Sequence, residues 1–294
     1  MLFYISAWYS VSAIMPTEDK GDIKFTFLHL ENRDYPALIS TDTQNSLMKW
    51  SMKGRLKVHT FSFDENFMAY EVQTFLKVGF VNYSNNSVTS VQKNLFTSNS
   101  VIAVVQGDGF FVPSKFEIVV ENVPCTFTSL NVFKKVRELT ARSDGTIKRC
   151  YDDVIDSVLV SDELRRCLLD TDSDTYGMVT EDERNQFLFR IFKHLCLGGE
   201  LCQSEDNIDV YIELVRKLYR DLISVQKNPE SRELQIISRV YSVKLLENEQ
   251  TVFPSAKRTS KYIRHNTIVD PLKRNVISAV PCVRMWGFLN FVIK

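Results

Sequence analysis

The fold is decided by residues 180–203, TEDERNQFLFRIFKHLCLGGELCQ. Thr180 and Glu183 have the spacing of a capping box, in which the two side chains bind backbone N–H groups at the start of a helix. Gly198 and Gly199 follow the apolar run and predict the end of that helix, because glycine readily adopts the left-handed conformation of a helix C-terminus. We therefore predict one continuous helix from Thr180 to these glycines.

This predicted helix is apolar over most of its circumference. Its apolar residues recur at helical spacing, and its polar residues form only a narrow ridge. A helix of this kind must be covered by other elements, so we place it at the centre of the core. The apolar stripe consists of Leu188, Ile191, Phe192 and Leu195 with Phe187, Phe189 and Cys196 beside it, and the ridge consists of Glu183, Gln186, Arg190, Lys193 and His194.

The composition of the 294-residue chain is that of a folded globular protein, with 44% hydrophobic and 12% aromatic residues. Its 36 basic and 36 acidic residues balance. The balance gives no overall positive charge that would predict a nucleic-acid or membrane-surface binder. A chain of this length does not require disulfides, so the six cysteines predict buried thiols in a reducing compartment. They are Cys125, Cys150, Cys167, Cys196, Cys202 and Cys282.

The flanking segments predict an α+β fold, because strand patterns precede the helical region and return after it. Along residues 55–63 the apolar side chains switch faces after Val58, which predicts a bulge or twist. We expect a strand-rich N-terminal part, a central helical hairpin and C-terminal strands to pack as one compact unit. Predicted strands cover residues 23–28, 55–63, 101–105, 110–120 and 234–245 and a hairpin of 266–270 with 276–280, and the second helix of the helical hairpin covers 207–225.

We expect a single domain over residues 21–284, with a polar loop near residues 82–100 that is rich in Asn, Ser and Thr. Residues 1–20 are predicted to be an apolar or disordered leader. The first 15 residues lack the positively charged start of a signal peptide and fall short of the roughly 20 residues that span a bilayer. A disordered tail is therefore favoured over a signal peptide.

Residues typical of catalytic or metal sites do not form a recognised pattern in the sequence. His194 and Cys196 lie about 200° apart on a helix, so they do not face one metal ion together with Cys202. Cys202 with a histidine is the pair that best fits a thiol enzyme. We predict instead a binding or scaffolding protein with no catalytic, cofactor or metal residues.

A short helix is predicted to begin at Ser161, a favourable N-cap that is followed by Asp162 and Glu163. Arg165 and Arg166 lie side by side on this helix. Two neighbouring guanidinium groups can fork onto carboxylates, and arginine is enriched at interaction hot spots. This helix is therefore the part of the sequence that best fits a partner-binding surface.

Several segments resemble the cilia- and flagella-associated protein 300 family, most specifically KHLCLGGELCQ at residues 193–203. The resemblance covers about residues 23–280, whereas residues 1–20, 82–100 and the divergent tail 285–294 depart from it. The matching runs are VSDELRRCLL (160–169), ERNQFLFRIFKHLCLGGELCQSED (183–206), YRDLISVQKNP (219–229), FPSAK (253–257) and IVDPLKR (268–274), with looser matches at KWSMKGRLKVHTFSFDENF (49–67) and ENVPCT (121–126).

The resemblance implies a cytoplasmic and ciliary protein that is needed to assemble the outer and inner dynein arms of the axoneme. It implies action beside dynein assembly factors, including chaperone-linked proteins of the kintoun type, and travel to cilia with intraflagellar transport. Dynein chains are further expected partners, whereas nucleic acid and membranes are not. The family has no assigned catalytic or cofactor residues, so the resemblance carries none over to this chain.

We place the partner surface on the helix after Ser161 and on the loop of residues 198–206. Reversing both arginines of that helix to glutamate is expected to weaken partner capture and to leave thermal unfolding nearly unchanged. A static axonemal component is one alternative, and it predicts retention in salt-washed axonemes. A thiol-dependent enzyme is another, and it predicts that Cys202→Ser abolishes function in a folded protein. The candidate partner-binding residues are Arg165, Arg166, Lys193, Glu200 and Gln203.

Overall fold

The computed structural model describes residues 25–30, 33–54, 56–81, 117–156, 158–199, 202–253 and 265–281. Helices and strands are mixed in these ranges as the α+β prediction requires. The helices are α1 Pro36–Ile39, α2 Thr41–Lys49, α3 Val72–Val81, α4 Asn131–Thr140, α5 Glu163–Leu169, α6 Asp174–Met178, α7 Glu181–Asn185, α8 Phe187–Leu197 and α9 Ile208–Leu222, and a 3-10 turn covers Ala69–Glu71. The strands are β1 Phe27–His29, β2 Leu56–Phe63, β3 Glu117–Val123, β4 Arg149–Ile155, β5 Val158–Asp162, β6 Val225–Lys227, β7 Leu234–Ile236, β8 Arg239–Glu247, β9 Gln250–Phe253, β10 His265–Asp270 and β11 Asn275–Pro281.

The main sheet brings the two ends of the described chain together. Its strand order is β1-β2-β11-β10-β8-β3, and β9 pairs with the free part of β8. All of these pairs are antiparallel. The predicted C-terminal hairpin is confirmed, because β10 and β11 pair continuously from Asp270↔Asn275 to Asn266↔Ala279. Separate two-stranded hairpins are formed by β4 with β5 and by β6 with β7.

Both faces of this sheet are covered, and this explains the pattern of residues 55–63. Leu56 and Val58 pack against the helical core, whereas Phe61 and Phe63 belong to a second core with Phe75 of α3. Successive side chains of a strand point to opposite faces, so a strand buried on both faces is apolar at both parities. The bulge predicted here is wrong, because β2 pairs with β11 without interruption.

The helical core lies on one face of the sheet and contains the predicted helical hairpin. α8 packs against α9, and Phe192, Tyr211 and Val215 are fully buried between the elements. Asn207 caps α9 by accepting a hydrogen bond from the Asp209 N–H at 2.8 Å. The five apolar positions predicted for this helix are buried, which confirms its inward stripe. They are Tyr211, Leu214, Val215, Leu218 and Leu222.

The prediction of one continuous helix from Thr180 is wrong, because the structure divides this segment in two. The capping box is present: Thr180 Oγ1 accepts from the Glu183 N–H, and the Glu183 carboxylate accepts from the Thr180 N–H. It begins α7 rather than a long helix. At Gln186 the backbone leaves the helical region with ψ 138°, and α8 then runs as far as Leu197.

The break between α7 and α8 is held by the segment that follows β3. The Gln186 amide donates to Thr126 Oγ1 at 3.0 Å and accepts from the Thr126 N–H at 3.0 Å. The Phe187 N–H donates to the Pro124 carbonyl at 2.8 Å. These bonds satisfy the groups that the break leaves open. Gln186 is consequently buried, so its assignment to the exposed polar ridge is wrong.

Other element boundaries differ less from the predictions. α9 ends at Leu222, and the residues predicted to continue it as far as 225 lead instead into β6. Residues 72–81, which gave a mixed pattern, form α3. On α9, Glu213 pairs with Arg216 at 2.8 Å. The polar loop near 82–100, the strand of 101–105, most of the strand of 110–120, the leader of 1–20 and the tail of 285–294 lie outside the described residues.

Candidate functional site

The helix α5, predicted to carry the partner surface, is capped by a buried carboxylate. Asp162, not Ser161, is the N-cap: its Oδ1 accepts a hydrogen bond from the Arg165 N–H at 2.8 Å. The guanidinium of Arg165 pairs with the same carboxylate and donates from Nη2 to the Cys196 carbonyl at 3.0 Å. Arg165 is 5% exposed, so its interpretation as a surface residue is wrong.

Arg166 is the arginine of this pair that faces solvent. Its side chain is 45% exposed and lies near two carboxylates of its own helix. Nε is 3.2 Å from Asp170 Oδ2, and Nη1 is 3.7 Å from Glu163 Oε1. Such solvated pairs are weak and exchange readily for other partners. Arg166 is therefore placed where a partner carboxylate can reach it.

The loop predicted as the second part of the surface is anchored on the end of α2. Glu205 accepts from Lys49 Nζ at 2.6 Å and from the Trp50 indole at 2.9 Å. The Gln203 N–H donates to the Lys49 carbonyl at 3.1 Å. Gln203 is exposed and lines an open surface cleft together with Met48, of which 54% is exposed. Glu200 lies outside the described residues.

Gly198 ends α8 and fixes the start of this loop. Its φ of 62° lies in the region that favours glycine. A Cβ at this position would overlap the Cys202 side chain and lie 3.1 Å from the Trp50 carbonyl oxygen. The next residue, Gly199, donates its N–H to the same carbonyl at 2.8 Å. The glycine pair therefore permits close approach between the end of α8 and the end of α2.

Lys193, the remaining candidate, lies apart from this loop on α8 and lines a cavity of about 260 Å³. The cavity is enclosed by α7, α8 and α9, with Leu56 of β2 and Asn266 of β10 on its sheet side. His194 lines it as well. Burial lowers the pKa of His194 to about 4, so its imidazole is neutral near pH 7. The predicted residues thus occupy several different environments and do not form one cluster.

The thiols of the described chain are poor candidates for nucleophiles. Burial raises the pKa of Cys202, of Cys150 and of Cys167, and it raises that of Cys125 to about 11. Cys196 is fully buried, and its pKa is raised further. A thiol with a raised pKa carries little thiolate near neutral pH, and thiolate is the reactive form. Cys282 lies outside the described residues.

Two wider searches of the described ranges found no further site. No group of three or more His, Cys, Asp or Glu side chains within them is arranged to hold a metal ion. Among the described helices, none is both long enough and apolar enough to cross a membrane.

The hairpin of β4 and β5 presents an apolar surface that sequence reasoning missed. Val154 pairs with Leu159 across the two strands, and their side chains are 67% and 58% exposed. Tyr151 of the same hairpin is 99% exposed. On the opposite face, Val160 is buried against the helical core. Clustered exposed apolar residues of this kind are typical of protein interaction surfaces. The signal in the sequence is apolar residues at both parities of a short hairpin.

Comparison with known proteins gives one consistent result. The family model of cilia- and flagella-associated protein 300 matches residues 24–280. A relative with this name from Paramecium tetraurelia is 30% identical over 207 residues, which cover 69% of this chain and 74% of the relative. A relative with the same name from Chlamydomonas reinhardtii is 32% identical over 157 residues, which cover 51% of this chain and 60% of the relative. No solved structure matches the chain.

Proposed function

The chain belongs to the cilia- and flagella-associated protein 300 family, and from this premise we propose that it is a non-enzymatic factor for the assembly and transport of axonemal outer and inner dynein arms. The observation that carries the proposal is the family match over residues 24–280. It agrees with the resemblance inferred from the sequence over almost the same range. The protein would thereby serve the motility of cilia and flagella.

The proposed partners are the dynein axonemal assembly factors, including chaperone-linked proteins of the kintoun type, together with dynein chains and the intraflagellar transport machinery. Such a protein acts in the cytoplasm and enters the cilium with its cargo. Its work is done through protein–protein contacts. The exposed side of α5 and the apolar hairpin of β4 and β5 supply surfaces that suit this role.

A non-enzymatic role is supported by the chemistry of the cysteines. Cys202 best fitted a thiol enzyme in the sequence, yet its thiol is partly buried and its pKa is raised. His194 is neutral near pH 7 but carries its low pKa because of burial, not because of a charged partner. A nucleophilic thiol requires the opposite environment, with a nearby positive charge that lowers its pKa.

Affinity purification from ciliating cells tests the proposal directly. The tagged full-length chain is expected to capture dynein chains and their assembly factors from the cytoplasmic fraction. Cells without the protein are expected to lack both rows of dynein arms in electron micrographs of cilia. If most of the protein instead stays in detergent-extracted, salt-washed axonemes and captures no assembly factor, a static axonemal component replaces the proposal.

Charge reversal of Arg166 tests the partner surface without disturbing the core. Arg166→Glu is expected to reduce capture of assembly factors severalfold, because the exposed guanidinium would be replaced by a carboxylate. The melting temperature should remain close to that of the wild type, since the affected ion pairs are solvated. The readout is quantitative mass spectrometry of the captured proteins.

Arg216→Glu is the matched control for this measurement. Arg216 is 48% exposed on α9 and also pairs with a glutamate three residues earlier on its helix. The change in net charge is therefore identical, but the residue lies on a different helix. Equal capture by the Arg166 variant and the wild type would remove α5 from the partner surface. Equal losses in both variants would indicate a general effect of charge instead.

A further inference from the structure

The cavity beside α8 combines an apolar wall with an excess of positive charge. Apolar side chains of α8 and α9 form one side of it, among them Ile191, Leu218 and Leu222. Three cationic side chains, Arg184, Arg190 and Lys193, also line it, against the single carboxylate of Glu181. This combination differs from the balanced charge of the whole chain.

Arg184 is held rigidly in the wall of the cavity. Its Nε donates to the Val179 carbonyl at 3.1 Å, and its Nη2 donates to the Tyr176 and Cys167 carbonyls at 2.6 and 3.1 Å. The guanidinium carbon lies 3.7 Å from the centre of the Tyr176 ring. Arg184 is 9% exposed, and its Nη1 has no hydrogen-bond partner among the described residues. An enclosed cation that donates only to carbonyls keeps its full charge.

The single carboxylate of the lining does not neutralise this charge. Glu181 accepts a hydrogen bond from the Asn185 amide at 3.0 Å, so it is engaged with a neutral group of its own helix. Arg190 donates to the carbonyl and to the side-chain oxygen of the same asparagine. The cavity therefore favours a ligand that carries negative charge next to an apolar group.

We propose that this cavity binds an acidic and apolar peptide segment of a protein partner. A large apolar side chain of the segment enters between α8 and α9, and an adjacent aspartate or glutamate lies against Arg190 and Lys193. The volume of about 260 Å³ accommodates one or two side chains, and the partly open mouth leaves the peptide backbone outside. It is smaller than the roughly 300–1,000 Å³ of sites that enclose a drug-sized molecule.

The peptide site goes beyond the proposed role in dynein-arm assembly and does not rest on it. The partner is identified here only by the chemistry of the segment that it inserts. Failure of the peptide experiment would therefore leave the proposed assembly role untouched, and failure to capture assembly factors would leave the peptide site untouched.

A phage-displayed library of random dodecapeptides, selected on the immobilised full-length chain, tests the proposal. Bound peptides are expected to be enriched in aspartate or glutamate next to leucine or phenylalanine. A synthetic copy of an enriched peptide should bind Lys193→Glu at least about tenfold more weakly than wild type, because one favourable charge contact becomes repulsive. The milder Lys193→Gln variant should show an intermediate loss.

Lys217→Glu is the matched control, because Lys217 is exposed on α9 and does not line the cavity. It is expected to bind the peptide as the wild type does, and circular dichroism verifies that all variants are folded. Enrichment of basic or uncharged peptides would overturn the proposal. So would equal binding by the Lys193 and Lys217 variants, or full displacement of the peptide by phenylacetate alone, which would assign the cavity to a small carboxylate.

Discussion

Replacing Arg165 by methionine is expected to lower the free energy of unfolding by about 3–5 kcal/mol. The change removes the cation that pairs with Asp162 and leaves that carboxylate 2% exposed without its partner. It also deprives the Cys196 carbonyl of a donor. The loss is a large part of the about 5–15 kcal/mol that stabilises an ordinary domain. Urea unfolding followed by circular dichroism measures it.

A second substitution tells whether the uncompensated charge is the cause. Adding Asp162→Asn to Arg165→Met is expected to restore part of the lost stability, because asparagine is uncharged and still caps a helix well. Arg166→Met on the same helix should have little effect, since Arg166 is exposed. If the double variant is less stable than Arg165→Met alone, the loss comes from packing and not from the buried charge.

This expectation replaces the one drawn from the sequence. Reversal of both arginines to glutamate was expected to leave thermal unfolding nearly unchanged. In the structure, a glutamate at position 165 would place a second carboxylate against buried Asp162. The double reversal therefore unfolds the protein before any partner is tested. Arg166 alone is the informative position.

Acidification is expected to destabilise the protein through His194. Its pKa is about 4 in the folded chain against an ordinary value of 6.5. The unfolded chain therefore takes up the proton first, so stability is complete above pH 6.5 and is lost as the pH falls towards 4. The loss from this one group amounts to about 3 kcal/mol, from the relation between pKa shift and free energy.

The His194→Gln variant isolates this contribution. The difference in unfolding free energy between wild type and variant should shift by about 3 kcal/mol between neutral pH and about pH 4 in favour of the variant. Asp64, Asp144 and Glu183, whose pKa values are lowered in the fold, also lose stabilising contacts in acid. Those losses are common to both proteins and cancel. A difference that does not change with pH would mean that His194 is protonated as easily in the fold as in the unfolded chain.

Local patterns account for the parts of the fold that could be predicted from the sequence. The capping box of Thr180 and the buried stripe of α9 depend on residues that are three or four positions apart, so they are visible in the sequence. The break at Gln186 could not be predicted in this way, because its hydrogen-bond partner is Thr126, 60 residues earlier in the chain. Nothing near position 186 indicates that a distant loop will bind there.

The candidate site was harder to predict than the fold, for the same physical reason. A sequence shows that Arg165 and Arg166 are adjacent, but a helix turns by 100° between them, so one faces Cys196 and the other faces water. The peptide-sized cavity is built from three helices and two strands that meet only in the folded chain. Charge that is balanced over the whole sequence is therefore unbalanced at one place in space.

The strand order of the main sheet has a consequence for synthesis on the ribosome. β2 pairs with β11, which lies roughly 200 residues later in the chain. At about 5–20 residues per second, the nascent chain waits about 10–40 s before this neighbour emerges. During that interval the phenylalanine-rich edge of β2 is unpaired and exposed to other polypeptides. Folding thus finishes only after translation does, and we expect the yield of native protein to depend on factors that bind the growing chain.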